Sequence, residues 1–452
     1  METTHYVAII GGAVAGSEAA AVLQSRGIKV AVFDQNALPY GKIEYGLPKW
    51  HHKTRDRQEA LIDQKLDRPG IRFIPNTMLG RDMQLKDVLD CGFSAVLLAS
   101  GAWKDRPLPV PGIDRFVGKG LYYQNPLMIW FNQNHDPNYD GPQFQLEDGA
   151  LVVGGGLASI DVAKVVMIET TREALEKRGF KVDALTLEKK GIPTVLADLG
   201  LKWEDLNLQG CRLLVRRGID EMALVPLSDN PTPEELERAR ETRKKIIQRA
   251  EEKYLFKVVE HRKVVDKIVE DDRLAGLVVR ETHTVNGQLK DVPGSEHEMR
   301  SPLVIASIGS IPQPIPGIPM TGEVYKLKNS RTGQIDGYEN VFALGNAVTG
   351  KGNIRQSMKH AREVTELIVD NYVVWRANDY VAIFESRADL ASSRTLSFVE
   401  TLEDMEKLSL EKLQLIDRKI DRFQQKVGYV GDYKKWIREH LPLRLESMGK
   451  SE

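Results

Sequence analysis

Residues 6–34 constrain the fold of this chain more than any other stretch of its sequence. The apolar run at residues 7–10 predicts a buried parallel strand, and glycines at positions 11, 12 and 16 predict a sharp turn into an alanine-rich helix. A second apolar strand, residues 30–33, ends in Asp34. These elements have the offsets of a βαβ unit that binds a dinucleotide, with pyrophosphate at the helix N-terminus and Asp34 on a ribose hydroxyl.

The opening turn departs from the usual G-x-G-x-x-G pattern at one position. Ala13 stands where the central glycine is expected, so its methyl group lies where the backbone approaches the pyrophosphate. We expect a small shift of the loop rather than loss of binding. The alternative is a tight turn between strand and helix that binds nothing.

A second copy of this device occurs at residues 151–166. An apolar strand leads into Gly154, Gly155 and Gly156, and Ser159 takes the place of the third glycine or alanine before the next helix. Two such units in one chain indicate two nucleotides that face each other.

Composition excludes several other classes of protein. The 452 residues suffice for about three domains, and 63 Lys and Arg against 64 Asp and Glu give no global field for nucleic acid or an anionic membrane. Only Cys91 and Cys211 are present, so a C-x-x-C dithiol and a four-cysteine iron–sulfur cluster are excluded. With no signal-peptide pattern and only short apolar runs, we expect a cytoplasmic protein with no membrane contact.

Between the glycine turns, residues 38–55 predict a loop and residues 107–114 a proline-punctuated linker, where the chain first crosses between domains. Further on, Thr232 and Pro233 predict the start of a long charged helix. Beyond about residue 378, apolar residues recur at helical spacing among charges. These are Leu402, Met405, Leu413, Ile416, Ile420, Phe423 and Val427.

This apolar stripe predicts an amphipathic helix packed on the body of the protein or on a second subunit, which makes a homodimer through the C-terminal helices possible. A docking surface for a redox partner is the alternative.

The opening unit and five further segments together resemble the flavoprotein reductases that bind two dinucleotides. This family is typified by adrenodoxin reductase, its bacterial ferredoxin–NADP+ reductase relatives and the flavoprotein subunit of glutamate synthase. The segments are PYGKIEYGL at residues 39–47, SGAWKDRPLPVPG at 100–112, GGGLASIDVAK at 154–164, LVRRGIDEM at 214–222 and GNAVTGKGNI at 345–354. The resemblance covers roughly residues 6–372, and the order of the segments is more specific than any one of them.

The resemblance implies an α/β fold with two Rossmann-like domains, the second inserted in the first. It implies an FAD-binding domain at residues 1–115 and 330–377, an NAD(P)-binding domain at 116–329 and a helical C-terminal extension at 378–452. Candidate FAD contacts are Gly11, Gly12, Ala13, Ala15, Gly16, Asp34, Gly41, Lys42, Ile43, Gly101, Gly345, Asn346, Gly352, Asn353 and Ile354. Candidate NADP contacts are Gly154, Gly156, Leu157, Ala158, Ser159, Arg216 and Arg217, and Gly309 is a further candidate cofactor contact. Asn346 replaces an acid that relatives place on the ribityl chain.

The reaction implied is hydride transfer from a nicotinamide to flavin N5, so we expect no nucleophile and no catalytic triad. His51 and His52 are the candidate ionisable groups near the flavin, because the related family has a histidine after the proline of this loop. Asp161, on the first turn of the second helix, is a candidate to orient such a histidine. The alternative is that the histidines are loop residues and Asp161 is favoured by the helix dipole. No metal site is expected, because no further ligand stands at metal-binding spacing.

Arg216 and Arg217 favour NADPH over NADH, because two guanidinium groups at a strand end can bind the 2′-phosphate. A solvated basic turn is the alternative.

Without a dithiol, the flavin must reduce an external acceptor. A one-electron carrier such as ferredoxin, flavodoxin or rubredoxin is the first hypothesis, and an iron–sulfur subunit of a larger complex is the second. A flavin oxidase or oxygenase ranks last, because the sequence lacks the glycine-and-histidine fingerprint expected of flavin monooxygenases.

Overall fold

The computed structural model describes residues 3–225, 227, 231–349 and 378–448. The strands are β1 (Tyr6–Ile10), β2 (Lys29–Phe33), β3 (Ile71–Ile74), β4 (Ala95–Leu98), β5 (Lys104–Asp105), β6 (Leu121–Tyr123), β7 (Leu151–Val153), β8 (Arg212–Leu214), β9 (Lys257–Val259), β10 (Arg262–Glu270), β11 (Arg273–Val285), β12 (Gln288–Asp291), β13 (His297–Arg300), β14 (Val304–Ala306), β15 (Ser310–Ile311), β16 (Met320–Thr321), β17 (Val324–Tyr325), β18 (Leu327–Asn329), β19 (Gln334–Ile335) and β20 (Val341–Ala343). The helices are α1 (Val14–Gln24), α2 (Lys42–Tyr45), α3 (His52–Leu66), α4 (Leu85–Leu89), α5 (Gln124–Gln133), α6 (Leu157–Glu176), α7 (Ala184–Lys190), α8 (Ile192–Asp198), α9 (Pro233–Tyr254), α10 (Asn346–Thr349), α11 (Asn378–Glu403), α12 (Leu410–Lys426), α13 (Tyr433–His440) and α14 (Leu445–Met448). None of the helices within these ranges is long and apolar enough to cross a membrane.

The first layer of the molecule is a seven-stranded sheet in the order β18-β19-β20-β4-β1-β2-β3. β1 pairs in parallel with β2 and β4, and β20 pairs in parallel with β4. Strands from both ends of the sequence therefore build one sheet. Apolar clusters cover both of its faces, which explains why its central strands read as continuous apolar runs.

The second sheet has five parallel strands in the order β6-β14-β7-β8-β9, all from residues between 121 and 306. A four-stranded antiparallel sheet, β10 to β13, belongs to the same stretch of chain. The chain leaves the first sheet through β5 and returns through β15, and these two strands pair with each other. The chain thus crosses between the two units at β5, just before the linker predicted at residues 107–114. A second α/β unit is thus inserted in the first, and the predicted fold class is confirmed.

The C-terminal helices pack on the first sheet. Leu402 on α11 and Leu413, Ile416 and Ile420 on α12 are buried in the clusters that cover it. The ring of Phe398 on α11 lies 4.7 Å from that of Phe342, in β20. The stripe therefore packs on the body of the protein and contributes to the core around the first sheet, beyond the residues that the resemblance covers.

Residues 38–55, predicted as a loop, contain regular structure. α2 occupies one turn between Gly41 and Gly46, a 3-10 turn spans Lys49–His51, and α3 begins at His52. One helical turn is unstable alone, so burial of Ile43 and Glu44 against the rest of the protein stabilises it. Gly and Pro marked where this segment bends, but they could not indicate that burial.

Candidate functional site

The opening glycines pack α1 closely onto the end of β1. Gly11 has φ +103°, and a Cβ there would lie 2.6 Å from the carbonyl oxygen of Ala99. A Cβ on Gly16 would lie 1.8 Å from the Gly11 oxygen. Both positions require glycine for the fold itself, and they bring the N-terminus of α1 to the edge of a cleft lined by Gly11, Ala13, Asp34, Gly41 and Gly101.

Asp34 is buried in the wall of this cleft. Its carboxylate accepts the backbone N–H of Gly12 at 2.7 Å and that of Asn36 at 2.9 Å. Burial raises the pKa of Asp34 to about 6, although these two hydrogen bonds act in the opposite direction. A carboxylate has about four lone-pair directions, so Asp34 retains capacity for a ribose hydroxyl.

The methyl group of Ala13 faces a glycine of another loop. Gly41 has φ +54°, and a Cβ on it would lie 2.9 Å from the Ala13 Cβ. Gly345, with φ +62°, stands in the same relation to Ala15, also at 2.9 Å. Ala13, which replaces the central glycine of the opening turn, and Ala15 beside it are thus each matched by a glycine opposite them.

A cavity of about 850 Å³ brings the second glycine turn together with residues of the first unit. Eleven of the predicted contacts line it: Lys42, Gly154, Gly156, Leu157, Ala158, Ser159, Asp161, Arg216, Arg217, Gly309 and Asn346. Ile43 is buried beside this region, whereas Gly352, Asn353 and Ile354 lie outside the described residues.

The second glycine turn contains one glycine that packing requires, Gly154, and one that borders open space, Gly156. A Cβ on Gly154 would lie 2.3 Å from the Ser307 oxygen. Gly156 has φ −119°, and a Cβ on it would have no other atom within 4 Å, so the fold does not require glycine there. The Ser159 hydroxyl donates to the Gly156 oxygen at 2.6 Å and accepts its N–H at 3.1 Å. Ser159 therefore closes the turn from inside and leaves the space above Gly156 open.

Four cations border the cavity beyond β8. Arg216 is exposed, and no carboxylate among the described residues lies within ion-pair distance of it; Arg217 is 3.8 Å from Glu221. Arg262 and Lys263, which the sequence analysis missed, line the same wall. Within the described ranges, the buried Nε of Arg262 has no hydrogen-bond partner. The sequence could not have indicated Arg262 and Lys263, because they come near Arg216 only where β10 lies beside the end of β8.

His51 and Asp161 come close together, but Tyr380 lies between them. The Tyr380 hydroxyl donates to the Asp161 carboxylate, and its ring centre is 4.9 Å from that of His51. Burial, followed by the charge of Lys164, lowers the pKa of His51 to about 3, and its Nε2 has no hydrogen-bond partner among the described residues. Burial raises the pKa of Asp161, while Lys164, at 3.7 Å, opposes this. A neutral imidazole with an unpaired nitrogen therefore faces the tyrosine.

His52 lies elsewhere, beside Asp56 and Glu446. Ligand atoms of these three residues lie within 4.8 Å of one another. Arg55 donates to both carboxylates and so already supplies the positive charge at this place. The arrangement favours an ion-pair cluster over a metal site, and it does not border the cavity.

The tail contributes one face of the cavity, through residues that the sequence analysis did not single out. Tyr380, Ile383, Phe384 and Arg387 of α11 line it at the spacing i, i+3, i+4 and i+7, which is one side of a helix. The rings of Tyr380 and Phe384 stack at 6.4 Å. Helical periodicity extended upstream from Leu402 could have found this stripe, although not the cavity beneath it.

The residues present fit two dinucleotides. The cavity has the size of a ligand site, and one wall offers an open glycine turn at a helix N-terminus. Buried nitrogens of His51 and Arg262 have no hydrogen-bond partner in the part of the chain that the structure describes. Such unpaired polar groups are unfavourable unless a ligand bonds to them.

Comparisons with known proteins agree with this geometry. A family model described as pyridine nucleotide-disulphide oxidoreductase matches residues 5–194. The NADPH-ferredoxin reductase FprA of Mycobacterium leprae is 24% identical over 419 residues, which are 85% of this chain and 87% of that protein. The small chain of glutamate synthase [NADPH] of Bacillus subtilis is 33% identical over 164 residues, 35% of this chain and 32% of that one.

Among solved structures, FprA from Mycobacterium tuberculosis in complex with NADPH has a TM-score of 0.66 at 18% identity, covering 94% of this chain and 91% of that one. This likeness concerns the fold. Together with the sequence matches, it confirms the predicted resemblance: residues 5–194 match the family model of the pyridine nucleotide-disulphide oxidoreductases, and the chain is similar to the adrenodoxin reductases and the FprA proteins.

Proposed function

We propose that this chain is an FAD-dependent NADPH oxidoreductase that passes a hydride from NADPH to FAD and then electrons to an external carrier of the ferredoxin type. One observation carries the proposal: the second glycine turn and its arginines share one cavity with the loop at Lys42 and with Asn346. A single space thus adjoins both dinucleotide units, as hydride transfer between two cofactors requires.

The cofactors supply the hydride chemistry, and the protein supplies binding and orientation. Residues 1–115 and 330–377 would bind FAD, with its pyrophosphate at the N-terminus of α1 and a ribose hydroxyl on Asp34. Residues 116–329 would bind NADPH at Gly156, with the 2′-phosphate at Arg216 and Arg217. His51, neutral at physiological pH, can offer a hydrogen bond but not a positive charge.

Ferredoxin is the first candidate carrier, since relatives are named as ferredoxin and adrenodoxin reductases. Flavodoxin and rubredoxin are further candidates. The partial match to a glutamate synthase chain supports the second hypothesis, in which this chain feeds an iron–sulfur subunit. Cys91 and Cys211 are both free and buried, which is consistent with the proposed cytoplasmic location. A homodimer through the C-terminal helices would use exposed apolar residues such as Leu396, Leu410 and Leu415, because the stripe itself packs on the first sheet.

Anaerobic titration of the purified protein with NADPH tests the proposal. Bleaching of the flavin absorbance by one equivalent of NADPH, followed by reoxidation with ferredoxin, flavodoxin or rubredoxin, is the expected result. A protein that cannot bind FAD, or whose FAD is not reduced by NADPH, would contradict it. Reoxidation only by an iron–sulfur protein that co-purifies with the chain would favour the second hypothesis.

A further inference from the structure

Lys42 and Arg387 place two cations in the wall of the cavity from opposite ends of the chain. Lys42 is the first residue of α2, and Arg387 belongs to the α11 stripe. Burial is the main cause that lowers the pKa of Lys42 to about 8, and the charge of Arg387 lowers it further. The two cations are therefore within electrostatic reach of each other.

The direct partners of Lys42 are neutral. Its Nζ donates to Asn125 Oδ1 and to Ser310 Oγ, each at 2.9 Å. The charge of Asp105 raises the pKa of Lys42, but the Asp105 carboxylate itself accepts the backbone N–H of Asn125 at 3.2 Å. Within the part of the chain that the structure describes, no carboxylate lies within 4.0 Å of either Lys42 Nζ or the Arg387 guanidinium.

Enclosed cations without a counter-ion are unfavourable, so this end of the cavity favours a ligand that is negative, or becomes negative, beside them. Asp161, an acid on the cavity wall, does not neutralise these cations, because it is engaged by the Tyr380 hydroxyl and by Lys164. The reaction itself can supply the missing charge.

This step rests on the proposed function. A hydride brings two electrons and one proton, so its transfer leaves the nicotinamide one unit more positive and the flavin ring system one unit more negative. We propose that Lys42 and Arg387 stabilise the negative charge that the flavin gains and thereby raise the reduction potential of the bound FAD. Preorganised charges directed at the place where charge develops are an effective form of electrostatic stabilisation.

Methionine substitutions test this electrostatic role, and the test does not require a measurement of catalytic turnover. In Lys42→Met and Arg387→Met, the equilibrium constant for reduction of bound FAD should fall about tenfold each, which for a two-electron couple is about 30 mV more negative. Sulfite, which adds to oxidised flavin as an anion, should bind these variants less tightly by a similar factor. Arg387→Lys keeps the charge and should retain most of the wild-type potential, which separates charge from packing.

Lys49→Met is the matched control. Burial lowers the pKa of Lys49 to about 8 as well, but its Nζ donates to Asn134 Oδ1 at 3.0 Å and it does not line this cavity. Removing this equally buried charge should leave the potential and the sulfite affinity unchanged.

The outcomes distinguish this inference from the function on which it rests. Wild-type protein that is not reduced by NADPH would refute the function. Variants that hold FAD fully yet keep the wild-type potential and sulfite affinity would overturn the inference alone. So would weaker NADP+ binding at unchanged potential, because the cations would then serve the nucleotide phosphates. If Lys42→Met loses FAD, the comparison of Arg387→Met with Arg387→Lys decides.

Discussion

Replacing Arg216 and Arg217 by alanine should weaken NADPH binding and leave NADH binding nearly unchanged. Both side chains line the cavity where β8 ends. Arg216 is exposed with no carboxylate within ion-pair distance among the described residues, and Arg217 is only loosely paired with Glu221 at 3.8 Å. Their charges are therefore available to a 2′-phosphate, which NADH lacks.

The expected magnitude follows from exposure. A hydrogen bond to a charged group contributes about 1.5–3 kcal/mol, and solvent screening places exposed groups at the lower end of that range. The Arg217 side chain is 38% exposed and Arg216 more so. Each single variant should thus lose about 1.5 kcal/mol, and the double variant about 3 kcal/mol, roughly 150-fold in Kd. Arg262 and Lys263 remain in the wall and limit the loss.

The assay is the Kd of NADP+ and of NAD+, measured from the perturbation of the flavin spectrum. Arg212→Ala is the control, since Arg212 lies on the same strand but donates to the Arg300 oxygen at 2.9 Å, away from the cavity. Equal losses for both nucleotides in the double variant would show that the arginines support the fold. An unchanged preference for NADP+ would refute their assignment to the 2′-phosphate.

Three further predictions concern His51, the second glycine turn and the tail. Because the pKa of His51 is about 3 in the folded protein against 6.5 ordinarily, the unfolded chain binds more protons between these values. The free energy of unfolding should therefore rise with pH across this window, by up to about 1.4 kcal/mol per pH unit. Urea unfolding at several pH values should show a weaker pH dependence for His51→Phe than for the wild type, and an identical pH dependence would contradict the assignment. Gly156→Ala should keep the wild-type melting temperature while weakening NADPH binding, whereas Gly154→Ala, whose Cβ would lie 2.3 Å from a backbone oxygen, should destabilise the protein; wild-type NADPH affinity in Gly156→Ala would count against a nucleotide at that turn. Deleting residues 378–452 should give insoluble or flavin-free protein, because the tail fills clusters on the first sheet; a soluble yellow core would show that the sheet is complete without it.

The parts of the fold that the sequence predicted are those in which local chemistry decides. Gly11 and Gly154 must be glycine because a backbone oxygen lies within 2.6 Å and 2.3 Å of where a Cβ would be. Such requirements leave a signature within a few residues, so both turns, the strands before them and the position of Arg216 could be predicted. The assignment of Asp34 to a ribose and of the domain boundaries remains a prediction.

The parts that the sequence could not predict depend on neighbours far along the chain. α2 forms because burial stabilises a single turn, and no local propensity indicates that burial. The place of Tyr380 between His51 and Asp161 depends on α11 packing beside α1. The apolar residues of α11 recur at helical spacing. Such spacing predicts that one side of the helix is covered, but it does not predict that this side lines a cavity.

Ala13 illustrates how such a distant relation changes the interpretation of a motif. Taken alone, a methyl group in a phosphate-binding turn argues against the ligand. The structure instead places that methyl opposite Gly41, where a Cβ would lie 2.9 Å away, and repeats the arrangement between Ala15 and Gly345. The space for the Ala13 methyl group is thus provided by the neighbouring loop. A glycine is missing from the opening turn, but Gly41 is present in the segment that faces it. Gly41 also has a positive φ, which favours glycine there, and it directly precedes Lys42 in the cavity wall. The glycine motif can therefore carry an alanine at position 13, because the loop opposite has a glycine there.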